Sequence, residues 1–365
     1  MNSISGDSKS VRTGMSSSSV LLALTIVFSC ALAFLAAHTA KCAEEPYFKT
    51  EPVFQFDAKR PSNHASSIAK MPNGDLFATW FAGEHEGMPD VAIWSARKPA
   101  GGEWSNPVVF IDDTKYAEGN ALLFTDSKGV VWLFYVKKYD TKWDAWDKTY
   151  LYMQTSKDSG FTWTEPVKMV EEMGRMIRNN VTELPDGRLL LPIYLDTKPL
   201  QSLIWISGDG FKTWEERNVP FTTPSNLQPA FVWLGGEKLL MYARHNTVPG
   251  KIWTGRSDDL GKTWRDLKKT KLPNPDSGIN MIKLKSGALV LAYNDSLLNR
   301  SPLCVAISDD EGMTWLKKKC IEKTPMEYSY PFMIQTDDGI IHLTYTADDR
   351  KIIKYAEFNE AWLRN

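Results

Sequence analysis

Three histidines (His64, His85, His245), three arginines (Arg178, Arg244, Arg300), an acidic run (Glu84, Glu86, Asp90) and a tyrosine pair (Tyr328, Tyr330) stand in polar segments between apolar runs. An arginine fork binds a carboxylate through two parallel hydrogen bonds. Histidines and carboxylates tuned to either side of neutrality exchange protons with a substrate. A tyrosine hydroxyl serves as a nucleophile once its proton has somewhere to go. Together these types suit an anionic sugar and the acid/base chemistry of a glycosidic bond. His64 and Tyr328 stand 264 residues apart, so no local motif unites the set and the fold must. Plainer roles stand beside each. A lone loop arginine is usually solvated or ion-paired, and residues 84–90 read equally as a solvated loop. His342 lies in an apolar strand and reads as structural. The stretch KKYDTKWDAWD at 137–147 is either a lid carrying Trp143 and Trp146 for sugar stacking or an exposed loop.

The elements that must position these residues are written as a repeat. An eight-residue turn, Ser-x-Asp-x-Gly-x-x-Trp, occurs at 156–163, 257–264 and 308–315. A variant at 207–214 has its glycine one place early, and a degenerate copy runs from 95 to 104. The four good copies start 51, 50 and 51 residues apart. Between them falls a second turn, polar with glycine and flanked by apolar runs, at 71–76, 126–131, 184–189, 234–239, 284–289 and 336–341. The alternating apolar runs around both turns, such as 76–80 and 239–243, read as strands. Each period therefore holds four strands, A to D, with the glycine turn joining A to B and the box joining C to D. A period near 50 with four strands is a propeller blade. Six glycine turns give an all-β, six-bladed propeller. The last blade has no box after its third strand at 352–358, and residues 52–56 are expected to supply its missing outer strand, closing an open edge. In the boxes, Ser and Asp side chains bind backbone N–H groups and glycine takes φ > 0, so these aspartates are turn residues. Cys304 and Cys320 flank the last box evenly and either form a disulfide across its hairpin or remain a buried free pair.

Composition agrees with this architecture. Of 365 residues, 43% are hydrophobic and 24% charged, within the ordinary globular range, so disorder and collagen-like classes are excluded. A net charge of −1 offers no footprint for nucleic acid or an anionic membrane surface. Four cysteines are too few for a disulfide scaffold or a cysteine-built zinc site, and no metal, nucleotide or other cofactor signature is present. Lys9 and Arg12 precede an apolar run at 20–37 that reads as a secretory leader or, uncleaved, as an N-terminal anchor. The expected organisation is thus 1–44 as leader and 45–365 as one propeller domain, a monomer exported to the periplasm, the cell surface or the medium.

Strand direction sorts the chemistry. Glycine turns and boxes occupy one face, and the B–C loops and D–A connections occupy the other. The second set holds His64, Glu86, Asp90, Arg178, Gln228, Arg244, Arg300, Tyr328 and Tyr330, and it is free for a site. Residues from blades 1, 3, 4, 5 and 6 can meet only at the axis.

At this point the sequence resembles the sialidase (neuraminidase) superfamily with its aspartate-box, or BNR, repeats, over about residues 50–360. The boxes carry the resemblance, together with NHASSI, WFAGEHEG, PNPDSGIN and EYSYP, which are similar to segments of bacterial neuraminidase-like proteins. The resemblance implies an exo-acting glycoside hydrolase that releases a terminal, sialic acid-like sugar from a glycan. It implies Asp90 as acid/base, Tyr328 as nucleophile, and Arg244 and Arg300 as members of an arginine triad on the substrate carboxylate. His85, Glu86, Gln228 and Tyr330 join as substrate contacts. Two family positions depart. His64 stands where the first triad arginine is expected, so Arg178 or His64 must complete the clamp. The glutamate that activates the tyrosine falls near Asn226. His64 opens an alternative among related propellers, a rhamnosidase or a uronate-polysaccharide lyase, and a non-catalytic glycan-binding propeller is the third reading.

Overall fold

Every four-strand period of the sequence becomes one antiparallel sheet, and six sheets surround a common axis. The structure is a computed structural model that describes Met1, Ser3, Gly6 and residues 45–365; the expected leader or anchor lies outside the described residues. Blade 1 is β2 (Ser62–Lys70), β3 (Leu76–Gly83), β4 (Ala92–Lys98) and β5 (Val108–Ile111). Blade 2 is β6 (Glu118–Thr125), β7 (Val131–Lys138), β8 (Thr149–Ser156) and β9 (Val167–Lys168). Blade 3 has a broken inner strand, β10 (Arg175–Ile177) and β11 (Thr182–Glu183), followed by β12 (Leu189–Leu195), β13 (Gln201–Ser207) and β14 (Glu215–Asn218). Blade 4 is β15 (Asn226–Gly235), β16 (Lys238–His245), β17 (Gly250–Ser257) and β18 (Arg265–Asn274). Blade 5 is β19 (Asn280–Lys283), β20 (Leu289–Asn294), β21 (Leu303–Ser308) and β22 (Lys317–Glu322). Blade 6 is β23 (Ser329–Gln335), β24 (Ile341–Ala347) and β25 (Ile352–Phe358).

The sixth blade takes its outer strand from the other end of the chain, but from a different stretch than expected. β1 (Phe48–Pro52) pairs antiparallel with β25, from Phe48 opposite Phe358 to Pro52 opposite Lys354. The strand ends at Pro52, and one further bond follows, from the Val53 N–H to the Ile353 carbonyl at 2.9 Å. Of the residues beyond it, Phe54 stacks on Trp80 of blade 1 at 5.0 Å instead of pairing. After β25 the chain forms a short helix, α1 (Glu360–Arg364), capped by Asn359. Its Trp362 stacks on Phe48 at 4.5 Å, so both chain ends lock the same blade. Cys304 and Cys320 are opposite each other in register across β21 and β22 and are joined by a disulfide.

The boxes show why the variant copy is tolerated. In the first, Asp158 accepts from the Thr162 backbone N–H at 2.9 Å and the Thr162 hydroxyl at 2.6 Å, and Ser156 accepts from the Gly160 N–H at 2.9 Å. Two consecutive residues have positive φ in each box: Ser159 and Gly160, Gly210 and Phe211, Leu260 and Gly261, Glu311 and Gly312. A glycine at either place relieves one of the two strained positions, so moving it one place early in 207–214 leaves the turn unchanged. The box tryptophans pack between blades, as Trp163 does against Phe110 at 5.4 Å.

These hydrogen bonds hold the box carboxylates below the usual aspartate range, Asp209 and Asp259 both at about 2. A carboxylate whose folded pKa is depressed stabilises the fold above its unfolded value and loses that contribution as protons bind. Stability measured by urea denaturation should therefore fall as pH drops from about 4 to about 2. Asp259→Asn should lower the midpoint at neutral pH and make the acid slope shallower. An unchanged slope would show that the boxes do not supply it.

Candidate active site

The inner strands do not run straight past the axis. In blades 1, 2, 4 and 6 the A–B register slips by one residue, between His64 and Ser67, Gly119 and Leu122, Leu227 and Ala230, and Ser329 and Phe332. Each slip is a β-bulge whose first residue has positive φ: Ala65 (54°), Asn120 (46°), Gln228 (50°) and Tyr330 (52°). Bulky residues in this conformation are strained, and such strain gathers where a chain re-aims a side chain. In blades 4 and 6 the next residue is Pro229 or Pro331, which sits where the bulge needs no N–H. Blade 3 solves the same crowding by breaking its strand, and residues 178–180 turn into the axis.

Arg178 fills the space below these bulges. It is 2% exposed and donates to the carbonyls of Ser66 at 3.0 Å, Tyr330 at 2.5 Å and Pro331 at 3.2 Å, all freed by the bulges of blades 1 and 6. Asn179 donates to the Gln228 carbonyl in the blade 4 bulge at 2.8 Å. Burial lowers the Arg178 pKa to about 10. With its forks committed to backbone, Arg178 supports the site from beneath.

Tyr330 stands at the centre. The guanidinium carbons of Arg178, Arg244 and Arg300 lie 5.2, 5.7 and 5.5 Å from its ring centroid. The Tyr330 hydroxyl accepts from Arg244 and from Gln228 Nε2, the latter at 3.2 Å. The His64 ring lies 4.2 Å from the Tyr330 ring, with Nδ1 2.9 Å from the Thr346 hydroxyl. Burial, reinforced by Arg350, Arg300, Arg178 and Arg244, holds His64 well below the ordinary histidine range, so its imidazole is neutral.

Carboxylates brace the cations. Asp276 accepts from Arg244 Nε at 2.8 Å, and Glu327 accepts from Arg300 Nη1 at 2.9 Å. Arg350, which sequence reasoning did not single out, is held between Glu86 and Glu327. Burial pushes Glu327 up, but Arg300 and Arg350 outweigh it and leave its pKa below the usual range. Asp196 differs: burial raises its pKa, Asp147 adds to the rise, and Arg244 opposes it only in part. A cavity of about 160 Å³ opens over Tyr330, walled by Glu86, Asn120, Trp146, Tyr194, Asp196, Gln228 and Arg244 among others. Trp146 is half-buried against Phe81, while Trp143 is 59% exposed.

The structure thus gathers His64, Glu86, Arg178, Gln228, Arg244, Arg300 and Tyr330 at one end of the axis. Tyr328 is not among them. It is 2% exposed and packs in the hydrophobic core of blades 5 and 6, with its hydroxyl against Thr324 at 2.5 Å and Asp348 at 3.1 Å. The physical reason is the bulge: it turns Tyr330 to the axis and leaves Tyr328, two residues earlier, between blades. Through Asp348, Tyr328 anchors the turn 348–350, three successive residues with positive φ that carry Arg350. Asp90 is exposed and turned to its own loop, accepting from the Glu84 N–H at 2.6 Å. His85 is exposed with its ring 6.2 Å from Trp143, and neither Asp90 nor His85 lines the cavity. Asn226 bonds within its own loop, to Thr222 at 3.0 Å, so Gln228 is the residue that meets the tyrosine. His245 and His342 are buried among Trp253 and Tyr355 respectively. Asp196 and Arg350 were missed because each belongs to a loop recognised only as a loop, and Tyr194 because it lies within the strand β12. Among the described residues no cluster of three or more His, Cys, Asp or Glu is placed to hold a metal.

The sequence pattern of the BNR repeat-like domain matches residues 74–343. No match is found among curated proteins. Among solved structures, a Hadza microbial sialidase is similar with a TM-score of 0.73 at 18% identity, over 84% of this chain and 68% of that one. The NanB sialidase of Streptococcus pneumoniae gives 0.71 at 13%, over 86% and 71%. A protein of unknown function from Dyadobacter fermentans gives 0.71 at 15%, over 86% and 99%. At these identities the likeness is one of fold.

Removing the Arg178 guanidinium strands three buried carbonyls, each costing about 1–3 kcal/mol when left unpaired. Arg178→Met should destabilise the protein by roughly 3 kcal/mol or more in urea denaturation. A variant of native stability would show that the bulges do not depend on it.

Proposed function

The chain belongs to the BNR repeat-like domain family, and we propose that it is an exported glycoside hydrolase that releases a terminal acidic sugar, sialic acid-like in its carboxylate, with Tyr330 as nucleophile. The observation that carries this reading is the ring of arginines around Tyr330, with Arg244 donating to the hydroxyl on the cavity wall. A phenol suits an anionic sugar, because a carboxylate nucleophile would be repelled; the mechanism departs from the usual carboxylate pair in that respect. The cavity, smaller than the ~300–1,000 Å³ of most small-molecule sites, favours one terminal sugar over a chain threaded through. The apolar run at 20–37 supports export.

In this mechanism Arg244 and Arg300 hold the sugar carboxylate, and Arg350 supplies the third cation beside His64. Asp196, whose pKa burial raises, donates its proton to the leaving glycosidic oxygen as Tyr330 Oη bonds to the anomeric carbon. Glu86, the ion-paired carboxylate on the same wall, receives the phenolic proton. Water then attacks the tyrosyl–sugar bond with ionised Asp196 as base, and Tyr330 regains its proton from Glu86. Burial raises the pKa of Asp196, which marks it as the acid, and Glu86 is the other carboxylate on the cavity wall. Gln228 replaces a basic group at the hydroxyl with a donor, so proton acceptance falls to Glu86.

A second reading rests on a specific contact. A neutral His64 packed on Tyr330 is also an acid/base pair for β-elimination: His64 would take the proton beside a uronate carboxylate held by the arginines, and Tyr330 would protonate the leaving oxygen. The product would be unsaturated and absorb in the ultraviolet.

Product analysis on sialosides, uronides and rhamnosides separates these readings. The hydrolase should release a saturated acidic monosaccharide, with activity falling as pH rises through the elevated pKa of Asp196. Tyr330→Phe should lower kcat at least ~10²-fold, while Tyr328→Phe should keep kcat within a few-fold and lose about 1 kcal/mol of stability. An ultraviolet-absorbing product would favour the lyase. Full activity in Tyr330→Phe would end both.

A further inference from the structure

The ion pair of Arg244 and Asp276 is fixed by a third residue that touches neither side chain. Asn274 stands between Pro273 and Pro275, and the proline after it restricts it to extended backbone. It is fully buried at the end of β18, opposite Gly250. A Cβ at Gly250 would lie 2.6 Å from both the Asn274 carbonyl oxygen and His245 Nδ1, so only glycine lets the chains close here. Asn274 Oδ1 accepts from the backbone N–H of His245 at 3.3 Å and from that of Ser277 at 3.3 Å. Its Nδ2 donates to the Ser277 carbonyl at 2.8 Å. His245 follows Arg244 in the chain, and Ser277 follows Asp276. One side-chain amide therefore ties down the backbone beside both members of the pair, which meet at 2.8 Å.

The turn held in this way reaches three groups of the axial site. Asp276 has a φ of 54°, a conformation that is costly for a residue other than glycine and persists only where neighbours enforce it. In that conformation its carboxylate accepts from Arg244 Nε, and its backbone carbonyl accepts from Arg300 Nη2 at 2.9 Å. Two residues on, Gly278 lies against the Tyr330 ring, where a Cβ would stand 3.2 Å from Cγ. If Asp276 relaxed to ordinary backbone angles, its carboxylate and carbonyl would swing together and both arginines would lose their aim. We propose that Asn274 is a positioning residue of the axial site: it holds the strained turn at Asp276 and thereby aims Arg244 and Arg300 beside Tyr330. Its effect on turnover rests on the hydrolase reading; its hold on Arg244 does not.

The test uses the full chain labelled with nitrogen-15. The Arg244 Nε–H signal is assigned by its loss in Arg244→Lys. Asn274→Ala should shift that signal, because the acceptor at Asp276 moves. Asp259→Asn, which weakens a box on the other face, should leave it in place. Kinetics on a sialoside give the second readout. Asn274→Ala should raise KM about tenfold and lower kcat less, since the arginines hold the sugar carboxylate before and during the reaction. A residue that served stability alone would reduce the amount of folded enzyme, lowering apparent kcat with KM unchanged. Asn274→Ser keeps a shorter, uncharged acceptor that serves such turns more weakly, so it should fall between the wild type and Asn274→Ala in both readouts. Should Asn274→Ala fail to fold, Asn274→Ser carries the comparison. An unmoved Arg244 signal in the folded variants would overturn the proposal, as would an unchanged KM. If the wild type hydrolyses no acidic glycoside, the hydrolase reading fails and the Arg244 signal alone decides the role of Asn274.

Discussion

The site depends on one buried cation meeting carbonyls that the sheets cannot use. Where inner strands converge, a bulge removes two residues from the ladder, and their carbonyls lose their partners. Arg178 donates to three of them from across the axis, joining blade 3 to blades 1 and 6. Without that donor the bulge at Tyr330 would leave unpaired polar groups in a dry interior, a cost large enough to favour a regular strand. A regular strand would turn Tyr330 away from the axis. The guanidinium therefore acts on the chemistry indirectly, by making a strained backbone affordable.

Electrostatics follows from the same geometry. Packing arginines around one phenol would be self-defeating without compensation, and Asp276, Glu327 and Glu86 provide it as direct partners of Arg244, Arg300 and Arg350. The cations are thereby fixed in direction before any ligand arrives, which is what preorganised binding of developing charge requires. Their combined field also acts on His64, which stays neutral because protonation would add a charge to a crowded positive site. Asp196 lies at the edge of this field, where burial outweighs the pull of Arg244. Neutral imidazole, an aspartate of raised pKa and anchored guanidinium are thus three consequences of one arrangement.

How much of this was legible in the sequence divides along the propeller axis. Six glycine turns and the box spacing specify six sheets because those turns are local, and their side chains bind their own backbone. The gathering of Arg244, Arg300 and His64 on the opposite face follows from strand direction alone. The bulges were not read, although Pro229 and Pro331 within strands mark them. That omission put Tyr328 rather than Tyr330 at the axis, since period-two alternation says nothing of where a strand is re-aimed. It also placed the partner of the tyrosine near Asn226, two residues short of Gln228. Arg350 and Asp196 escaped because their roles arise from neighbours on other blades, and long-range proximity leaves no mark on local spacing.

The two faces divide stability from chemistry, and the division explains why so little of the boxes appears at the site. A box satisfies its own turn, so its aspartate is held ionised by Ser and Thr within five residues and has nothing to exchange with a substrate. The opposite face has no such self-contained turns. Its loops must borrow partners across blades, as Arg350 does from Glu86. Loops tied across blades can move a residue only by disturbing several blades together. Substitutions there should couple to one another more strongly than substitutions among the boxes, because non-additivity follows shared partners.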